Sequence, residues 1–257
     1  MTRAWRLTDA DWNSWPDGLT GPEIASQAAA LGLAGIELGV YDTAVELAPS
    51  RLATLTDGPV PITALLLSLP AERWPGGALS GDVDRLVEQV RACATVCREL
   101  DLKVLGLWPG ADPVGADVAD GLRRCVAAAG GVRIALEYKP DTAVETAAQA
   151  LALCAEVEGL GVLLDTGHAY AVGEDPAEVV ERLGPLLLHV HLGDAGPGGG
   201  DDDLPCGRLH DFVDVVAALD RSYAGTASFD LYGAVSDGDL TGAQAVHESR
   251  DHVLSRR

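Results

Sequence analysis

Apolar and polar positions follow two alternating rhythms along nearly the whole chain. Short apolar runs are separated by stretches in which apolar residues recur every three or four positions, the spacing of an amphipathic helix. The runs predict eight strands, at residues 4–7, 34–38, 62–67, 103–107, 133–137, 161–165, 186–191 and 226–231. Repeated strand and helix units favour a parallel sheet. Eight units in 257 residues therefore predict one α/β domain, a single (β/α)8 TIM barrel over residues 1–257.

Helix signals support this interpretation between the strands. One apolar stripe at helical spacing comprises Val83, Leu86, Val87, Val90, Ala94 and Cys97. Asp175, Pro176 and Glu178 predict a helix start, because they supply a cap, a first-turn proline and an acid near the helix N-terminus. The five cysteines are scattered, and we interpret them as small buried hydrophobic residues rather than a disulfide framework.

The net charge of the chain disfavours some classes of binding partner. The chain carries 18 Lys+Arg against 39 Asp+Glu, a net charge of -21, which repels a phosphate backbone, so we expect no nucleic-acid partner. No run of about 18 apolar residues occurs, and the first residues lack the basic-then-apolar order of a signal peptide. We therefore expect a cytoplasmic protein without a membrane partner.

Polar residues close four successive apolar strands. They are Glu137, Asp165, His191 and Asp230, each about one strand–helix unit after the one before. In an α/β barrel the C-terminal strand ends surround the active site, so these side chains should meet at one rim. Taken singly, an Asp at a strand end can be a turn cap, and a buried His can be a core residue.

As a set, three carboxylates and one imidazole suit a divalent metal. Mn²⁺ or Mg²⁺ fits the oxygen-rich set best, and Co²⁺ or Zn²⁺ is possible.

His189 lies one pleat deeper than His191 on the same face of its strand. We predict that His189 either packs in the core or contacts a residue that binds the metal. Asp194 either orients the ring of His191 or begins the glycine-rich loop 193–203, which is a solvated loop or a mobile lid.

Five segments carry a resemblance to a known family: "GLAGIELG", "IALEYKP", "GVLLDTGHAY", "HVHLGD" and "YAGTASFDLYG". Together they resemble the xylose isomerase-like TIM-barrel superfamily, which includes sugar isomerases and epimerases. The resemblance implies one divalent metal held by the four strand-end residues, with Glu137 and Asp230 as the catalytic acid/base pair. It also implies that His168 touches substrate, that Lys139 polarises a sugar carbonyl, and that Glu37 lies near the sugar pocket.

Two departures from the family pattern bear on the site. The last ligand is usually Glu, whereas this chain has Asp230, which is shorter by one methylene group. The segment "LPCGRLHDF" matches the family loosely; Arg208 there either meets a substrate oxygen or phosphate or is a surface arginine.

Four tryptophans in or near loops after strands one, three and four either stack on a sugar or anchor their loops; they are Trp12, Trp15, Trp74 and Trp108.

The resulting hypothesis is an isomerase or epimerase of a sugar, ketose or related keto compound. Proton abstraction would give a metal-stabilised enediolate. Loss of a hydroxyl from the same intermediate would make the protein a dehydratase of the inosose type, and a degenerate metal- or sugar-binding barrel is a further alternative. A metal-dependent abasic-site endonuclease is disfavoured because strands three and four end in "LLLSLP" and "LGLWPG", without histidine. The expected partner is a small sugar-like molecule, with a homo-oligomer possible.

Overall fold

Eight parallel strands close into a barrel in the computed structural model, which describes residues 5–198, 202–238 and 240–257. The strands are β1 Arg6–Ala10, β2 Ile36–Val40, β3 Ile62–Ser68, β4 Val104–Trp108, β5 Arg133–Glu137, β6 Leu160–Asp165, β7 Leu187–Leu192 and β8 Thr226–Phe229. They follow chain order, with β8 paired to β1. The predicted (β/α)8 barrel is confirmed.

Helices lie between the strands and after β8. They are α1 Gly21–Ala30, α2 Thr43–Glu46, α3 Pro49–Thr56, α4 Val83–Glu99, α5 Ala119–Ala129, α6 Ala147–Glu156, α7 Thr166–Ala171, α8 Pro176–Leu183, α9 Val213–Ser222, α10 Tyr232–Ser236 and α11 Gly242–Leu254. Short 3-10 helices span Asp11–Ser14 and Gly184–Leu186. Within the described ranges, no helix combines the length and the apolar character that a membrane crossing requires.

The predicted helix signals are confirmed. Most of the predicted stripe on α4 is buried, from Leu86 to Cys97. At the start of α8, the Asp175 side chain accepts a hydrogen bond from the Ala177 N–H, and Pro176 occupies the first turn. All five cysteines are free thiols, and four of them are buried.

Three strand predictions are wrong by two residues or more at an end. β2 spans Ile36–Val40 rather than the predicted 34–38. β1 begins at Arg6 and continues to Ala10, whereas the apolar pattern placed it at residues 4–7, the first of which lies outside the described residues. The extension is polar: the Thr8 hydroxyl lies 2.8 Å from that of Ser228, and one carboxylate oxygen of Asp9 accepts a hydrogen bond from Asn13. The other carboxylate oxygen of Asp9 has no partner among the described residues. β8 ends at Phe229, so Asp230 immediately follows the strand that was predicted to contain it.

The barrel interior is partly polar. Glu37 on β2 contacts His189 on β7, and because these strands are not neighbours in the sheet, the contact crosses the interior. A small apolar cluster separate from the main core includes Ala10, Leu66, Ala135 and Leu163. The main apolar core includes both strand and helix residues.

Candidate metal centre and substrate pocket

The four predicted strand-end residues meet at the C-terminal mouth of the barrel. Nδ1 of His191 lies 3.5 Å from Oε1 of Glu137, 3.4 Å from Oδ2 of Asp230 and 3.9 Å from Oδ2 of Asp165. One ligand-type atom from each of the four residues lies within 4.8 Å of the others. Asp230 is 15% exposed, and the other three side chains are buried. The opening therefore leads to Asp230.

The buried polar atoms fit a divalent cation. Among the described residues, neither carboxylate oxygen of Glu137 and neither ring nitrogen of His191 has a hydrogen-bond partner. Leaving such atoms buried and unsatisfied destabilises a fold. Three carboxylates and an imidazole form the donor set that a hard or borderline dication takes, so all four residues fit one metal ion.

Asp165 contributes to both the cluster and a helix start. It ends β6 and caps α7, where its Oδ1 accepts a 2.8 Å hydrogen bond from the His168 N–H, so Oδ2 faces the cluster. Burial, then repulsion from Glu137 and Asp230, raises the pKa of Asp165 to about 8. Burial likewise raises the pKa of Glu137, against attraction from His191. Burial and repulsion from neighbouring acids thus oppose ionisation of Glu137 and Asp165, which a cation would favour. Burial also opposes ionisation of Asp230, but the contact with His191 outweighs it and lowers the pKa of Asp230.

A carboxylate on the far side orients His191. Oε2 of Glu37 lies 3.3 Å from His191 Nε2 and 2.7 Å from His189 Nε2. Burial opposes ionisation of Glu37, but the two histidines outweigh it and lower its pKa. Contact with Glu37 through Nε2 leaves Nδ1 of His191 facing the cluster, an arrangement common for metal-binding histidines. This is one of the two roles considered for Asp194, the other being to begin the glycine-rich loop. Asp194 instead accepts hydrogen bonds from Leu209 and His210.

A cavity of about 190 Å³ adjoins the cluster. One side is lined by Trp12, Tyr41, Ser68 and Trp108, from the ends of the first four strands, and the other includes His168, Asp203, Asp230 and Tyr232. Its mixed aromatic and polar lining suits a small polyhydroxy ligand.

Two basic residues, His168 and Lys139, lie near the cluster. His168 Nδ1 is 3.4 Å from Glu137 Oε1 and 3.2 Å from the Tyr138 carbonyl oxygen. Burial, reinforced by the charge of Lys139, lowers the pKa of His168 to about 3, which keeps the imidazole neutral. Nζ of Lys139 lies 5.1 Å from the centre of the Trp108 ring. Burial lowers the pKa of Lys139, opposed first by Asp203 and then by the cluster acids.

The remaining predicted residues have different positions. Arg208 is half exposed and pairs with Glu248 on α11 at 2.6 Å, so the structure does not bring it to the pocket. Trp74 is buried and stacks with Arg85, as a loop anchor would. Trp15 packs against Tyr41. Part of the predicted glycine-rich lid, residues 199–201, lies outside the described residues.

Sequence reasoning missed the polar residues that surround Asp230. Nδ2 of Asn13 donates to Asp9 and to the Phe229 carbonyl oxygen, and its Oδ1 accepts from the Leu231 N–H. Asp203, also missed, accepts from the Gly233 N–H. The sequence did contain a signal, the polar residues between positions 8 and 14. Because β1 was predicted to end at residue 7, these residues were not considered at the end of a strand.

The comparisons with known proteins identify the family and the fold. The family model described as "Xylose isomerase-like TIM barrel" matches residues 25–253, and the chain belongs to this family. A search of curated protein sequences gave no match.

Several solved structures share the fold over almost the whole chain at 18% identity. The D-allulose 3-epimerase from Methylomonas sp., in complex with D-allulose, has a TM-score of 0.78 over 99% of this chain and 98% of its own. The IOLI protein with a bound zinc atom has a TM-score of 0.74, covering 98% and 97%. The probable 3-DHS dehydratase AsbF from Bacillus anthracis has a TM-score of 0.76, covering 98% and 99%.

Proposed function

We propose that this protein is a divalent-metal-dependent isomerase or epimerase of a sugar, ketose or related polyhydroxy keto compound. The observation that carries the proposal is the buried cluster at the pocket, in which Glu137 and His191 lack hydrogen-bond partners among the described residues. Structures of similar fold include a sugar epimerase with bound D-allulose and a protein with bound zinc, which supports the proposed ligand classes.

In this proposal four residues hold the cation: Glu137, Asp165, His191 and Asp230. Oxygen-rich coordination favours Mn²⁺ or Mg²⁺, with Co²⁺ or Zn²⁺ also accepted. When bound, such a cation would stabilise negative charge that develops on a sugar carbonyl oxygen during removal of a neighbouring C–H proton.

Glu137 and Asp230 are the proposed proton-transfer pair. Glu137 ends β5 and Asp230 follows β8. These strands are not adjacent, so the two carboxylates approach the cluster from different directions. An Oε atom of Glu137 accepts the substrate proton, and the Asp230 carboxylate exchanges a proton on the other side. A carboxylate in a dry site is a stronger base than one in water, and the burial that raises the pKa of Glu137 favours this role.

The pocket residues orient the substrate. The neutral ring of His168 can exchange a hydrogen bond with a sugar hydroxyl, and the Lys139 ammonium can donate to a carbonyl oxygen. Trp108 offers an indole face to the apolar side of a sugar ring. Glu37 acts through His191 rather than on substrate, since it lies behind the imidazole.

Returning the proton to another carbon isomerises the substrate, and returning it to the opposite face epimerises it. Loss of a β-hydroxyl would instead dehydrate it, as in the inosose dehydratase alternative. The cytoplasmic location and the homo-oligomer expected from the sequence belong to the same proposal, and light scattering measures the oligomeric state.

Deuterium uptake tests the reaction class. The purified protein, loaded with Mn²⁺, is incubated in D₂O with a panel of ketoses, inososes and keto acids, and NMR locates the exchanged carbon. We expect exchange at a carbon next to a carbonyl. Glu137→Gln should lower the exchange rate by roughly 10²–10⁴-fold, whereas Glu88→Gln, an exposed change on α4, should not.

Two results would contradict the proposal at different points. If the wild-type protein binds no divalent metal by elemental analysis and calorimetry, the metal centre itself is wrong. If metal binds but no panel member exchanges or reacts, the protein is a binding barrel rather than an enzyme of these substrates.

A further inference from the structure

The turn that follows β1 holds Asp230 from three directions. Nε1 of Trp12 donates a 2.8 Å hydrogen bond to Asp230 Oδ1. Asn13 holds the peptide groups on either side, through the Phe229 carbonyl oxygen and the Leu231 N–H, each at 2.9 Å. The position of the Asp230 side chain is thus fixed at its backbone and at one carboxylate oxygen.

The turn itself is anchored to β2. Oδ1 of Asp11 accepts a 2.8 Å hydrogen bond from the Gly39 N–H, and Oδ2 of Asp11 pairs with Arg51 at 3.0 Å. A Cβ at position 39 would lie only 3.0 Å from the Trp12 ring. Because glycine lets the indole lie against β2, Trp12 has little room to move.

We propose that Trp12 is a positioning residue that makes Asp230, the shorter acid, fit the metal centre. Its indole N–H occupies Oδ1, which leaves Oδ2 directed at the cluster, 3.4 Å from His191 Nδ1. The same indole packs edge-on against the His191 ring, with 5.7 Å between ring centres. Trp12 therefore contacts two of the four proposed ligands. This inference rests on the proposed metal centre.

A matched pair of substitutions isolates the Trp12 hydrogen bond. Trp12→Phe removes the N–H and keeps an aromatic ring. Trp5→Phe is the control, because Trp5 is equally buried and its Nε1 also donates to an aspartate, Asp220 Oδ1, at 2.8 Å. Trp5 precedes β1 and Trp12 follows it, so the control lies at the opposite end of the barrel.

Binding of Co²⁺ alone is the readout, by calorimetry and by the visible absorption of the bound ion. We expect Trp12→Phe to lower Co²⁺ affinity by about tenfold, in line with other residues that orient a ligand, and to change the absorption spectrum. Trp5→Phe should leave both unchanged. Circular dichroism and thermal unfolding of the metal-free proteins report whether each variant folds.

The effect of acid length is tested at Asp230 itself, first in the otherwise wild-type protein and then together with Trp12→Phe. Asp230→Glu adds a methylene group against the fixed indole, so it should lower Co²⁺ affinity in the otherwise wild-type protein. In the Trp12→Phe background the smaller ring should recover part of that loss, which makes the two changes non-additive.

Each result has a distinct meaning. Wild-type affinity and spectrum in folded Trp12→Phe would overturn the Trp12 proposal while leaving the metal centre intact. The Trp12 proposal would also be overturned if the effects of Trp12→Phe and Asp230→Glu on the free energy of Co²⁺ binding were strictly additive. Failure of the wild-type protein to bind Co²⁺, Mn²⁺ or Zn²⁺ would overturn both this inference and the proposed function.

Discussion

His191 contacts different partners through its two ring nitrogens. Nδ1 faces the three carboxylates of the cluster, and Nε2 faces Glu37. Burial opposes a charge on His191, but Glu37 and then Glu137 outweigh it and raise the pKa of His191 well above its ordinary value. In the absence of a cation, a proton on this ring would offset the surrounding acids, and metal binding would have to displace it.

Replacing Glu37 should therefore weaken metal binding without touching a proposed ligand. We expect Glu37→Gln to lower Mn²⁺ affinity by roughly 10–100-fold, because an amide orients the His191 ring less strongly than a carboxylate does. Calorimetry measures the affinity, and ¹⁵N NMR of labelled histidine reports the tautomer. Glu88→Gln is the control on the surface. Unchanged affinity together with an unchanged histidine spectrum would show that Glu37 only fills space.

The buried carboxyl of Asp9, which is not one of the four proposed metal ligands, predicts that the stability of the fold depends on pH. Burial raises its pKa to about 7, against the lowering effect of the Asn13 hydrogen bond. The unfolded chain ionises this carboxyl near 3.8, so the folded state favours the protonated form. The protonated Asp9 carboxyl therefore makes its full contribution to the free energy of unfolding below about pH 4. That contribution is lost as pH rises through about 7.

Asp9→Asn should remove that dependence, since an amide is neutral at every pH. At pH 8 we expect the variant to be more stable than the wild type by roughly 1–3 kcal/mol, and the difference should vanish or reverse at pH 4. Urea unfolding of metal-free protein at both pH values checks this. Asp57→Asn, at an exposed position, should show no such crossover, and an identical pH profile for Asp9→Asn would contradict the assignment.

At the scale of elements, the apolar pattern located strands well and their polar ends poorly. Runs such as residues 134–136, just before Glu137, are apolar, so their rhythm shows in the sequence. β1 is different: Thr8 and Asp9 are polar but buried, and they contact Ser228 and Asn13. Those partners lie elsewhere in the chain or in the next turn, and hydrophobicity alone carries no signal for them.

The turn after β1 should be sensitive to a single added carbon. In Gly39→Ala the new Cβ would lie 3.0 Å from the Trp12 ring and 3.1 Å from that of Trp15. We expect Gly39→Ala to lower the free energy of unfolding by about 1–3 kcal/mol, which is typical of overpacking. Thermal unfolding measures this change. Gly196→Ala is the control, since its nearest contacts would be at 3.8 Å. An equal effect from both substitutions would mean that the close approach at Gly39 is not what matters.

At the scale of the whole molecule, charge bears on substrate choice. The chain has a net charge of -21, and the cluster and pocket bring together the acids Glu137, Asp165, Asp203 and Asp230 with the cation Lys139. A dication would neutralise only part of this negative charge. Neutral substrates should therefore bind better than anionic ones.

This expectation is testable with paired probes. Isothermal titration of the Mn²⁺-loaded protein with D-fructose and D-fructose 6-phosphate should favour the neutral sugar by about tenfold or more at low salt. The preference should shrink at high ionic strength, because salt screens repulsion. Tighter binding of the phosphate at both salt concentrations would point instead to a phosphate site outside this pocket.

Spacing along the chain predicted the barrel and the meeting of the four strand-end residues, because each parallel strand delivers its last side chain to the same rim. It could not predict contacts that cross the barrel, such as that between Glu37 and His189. Nor could it predict that Asp194 would turn to His210, or that Trp12 would reach Asp230. Such partners depend on side-chain directions that only the closed barrel defines.

The two halves of the barrel contribute different things to the mouth. The proposed ligands all come from β5 to β8, whereas one pocket wall, with Trp12, Tyr41, Ser68 and Trp108, comes from β1 to β4. Mutations in that wall can change which molecule is accepted while the ligand residues stay the same. Substitutions at Tyr41, Ser68 or Trp108 therefore offer a way to redesign substrate choice without altering any proposed ligand or the indole that holds Asp230.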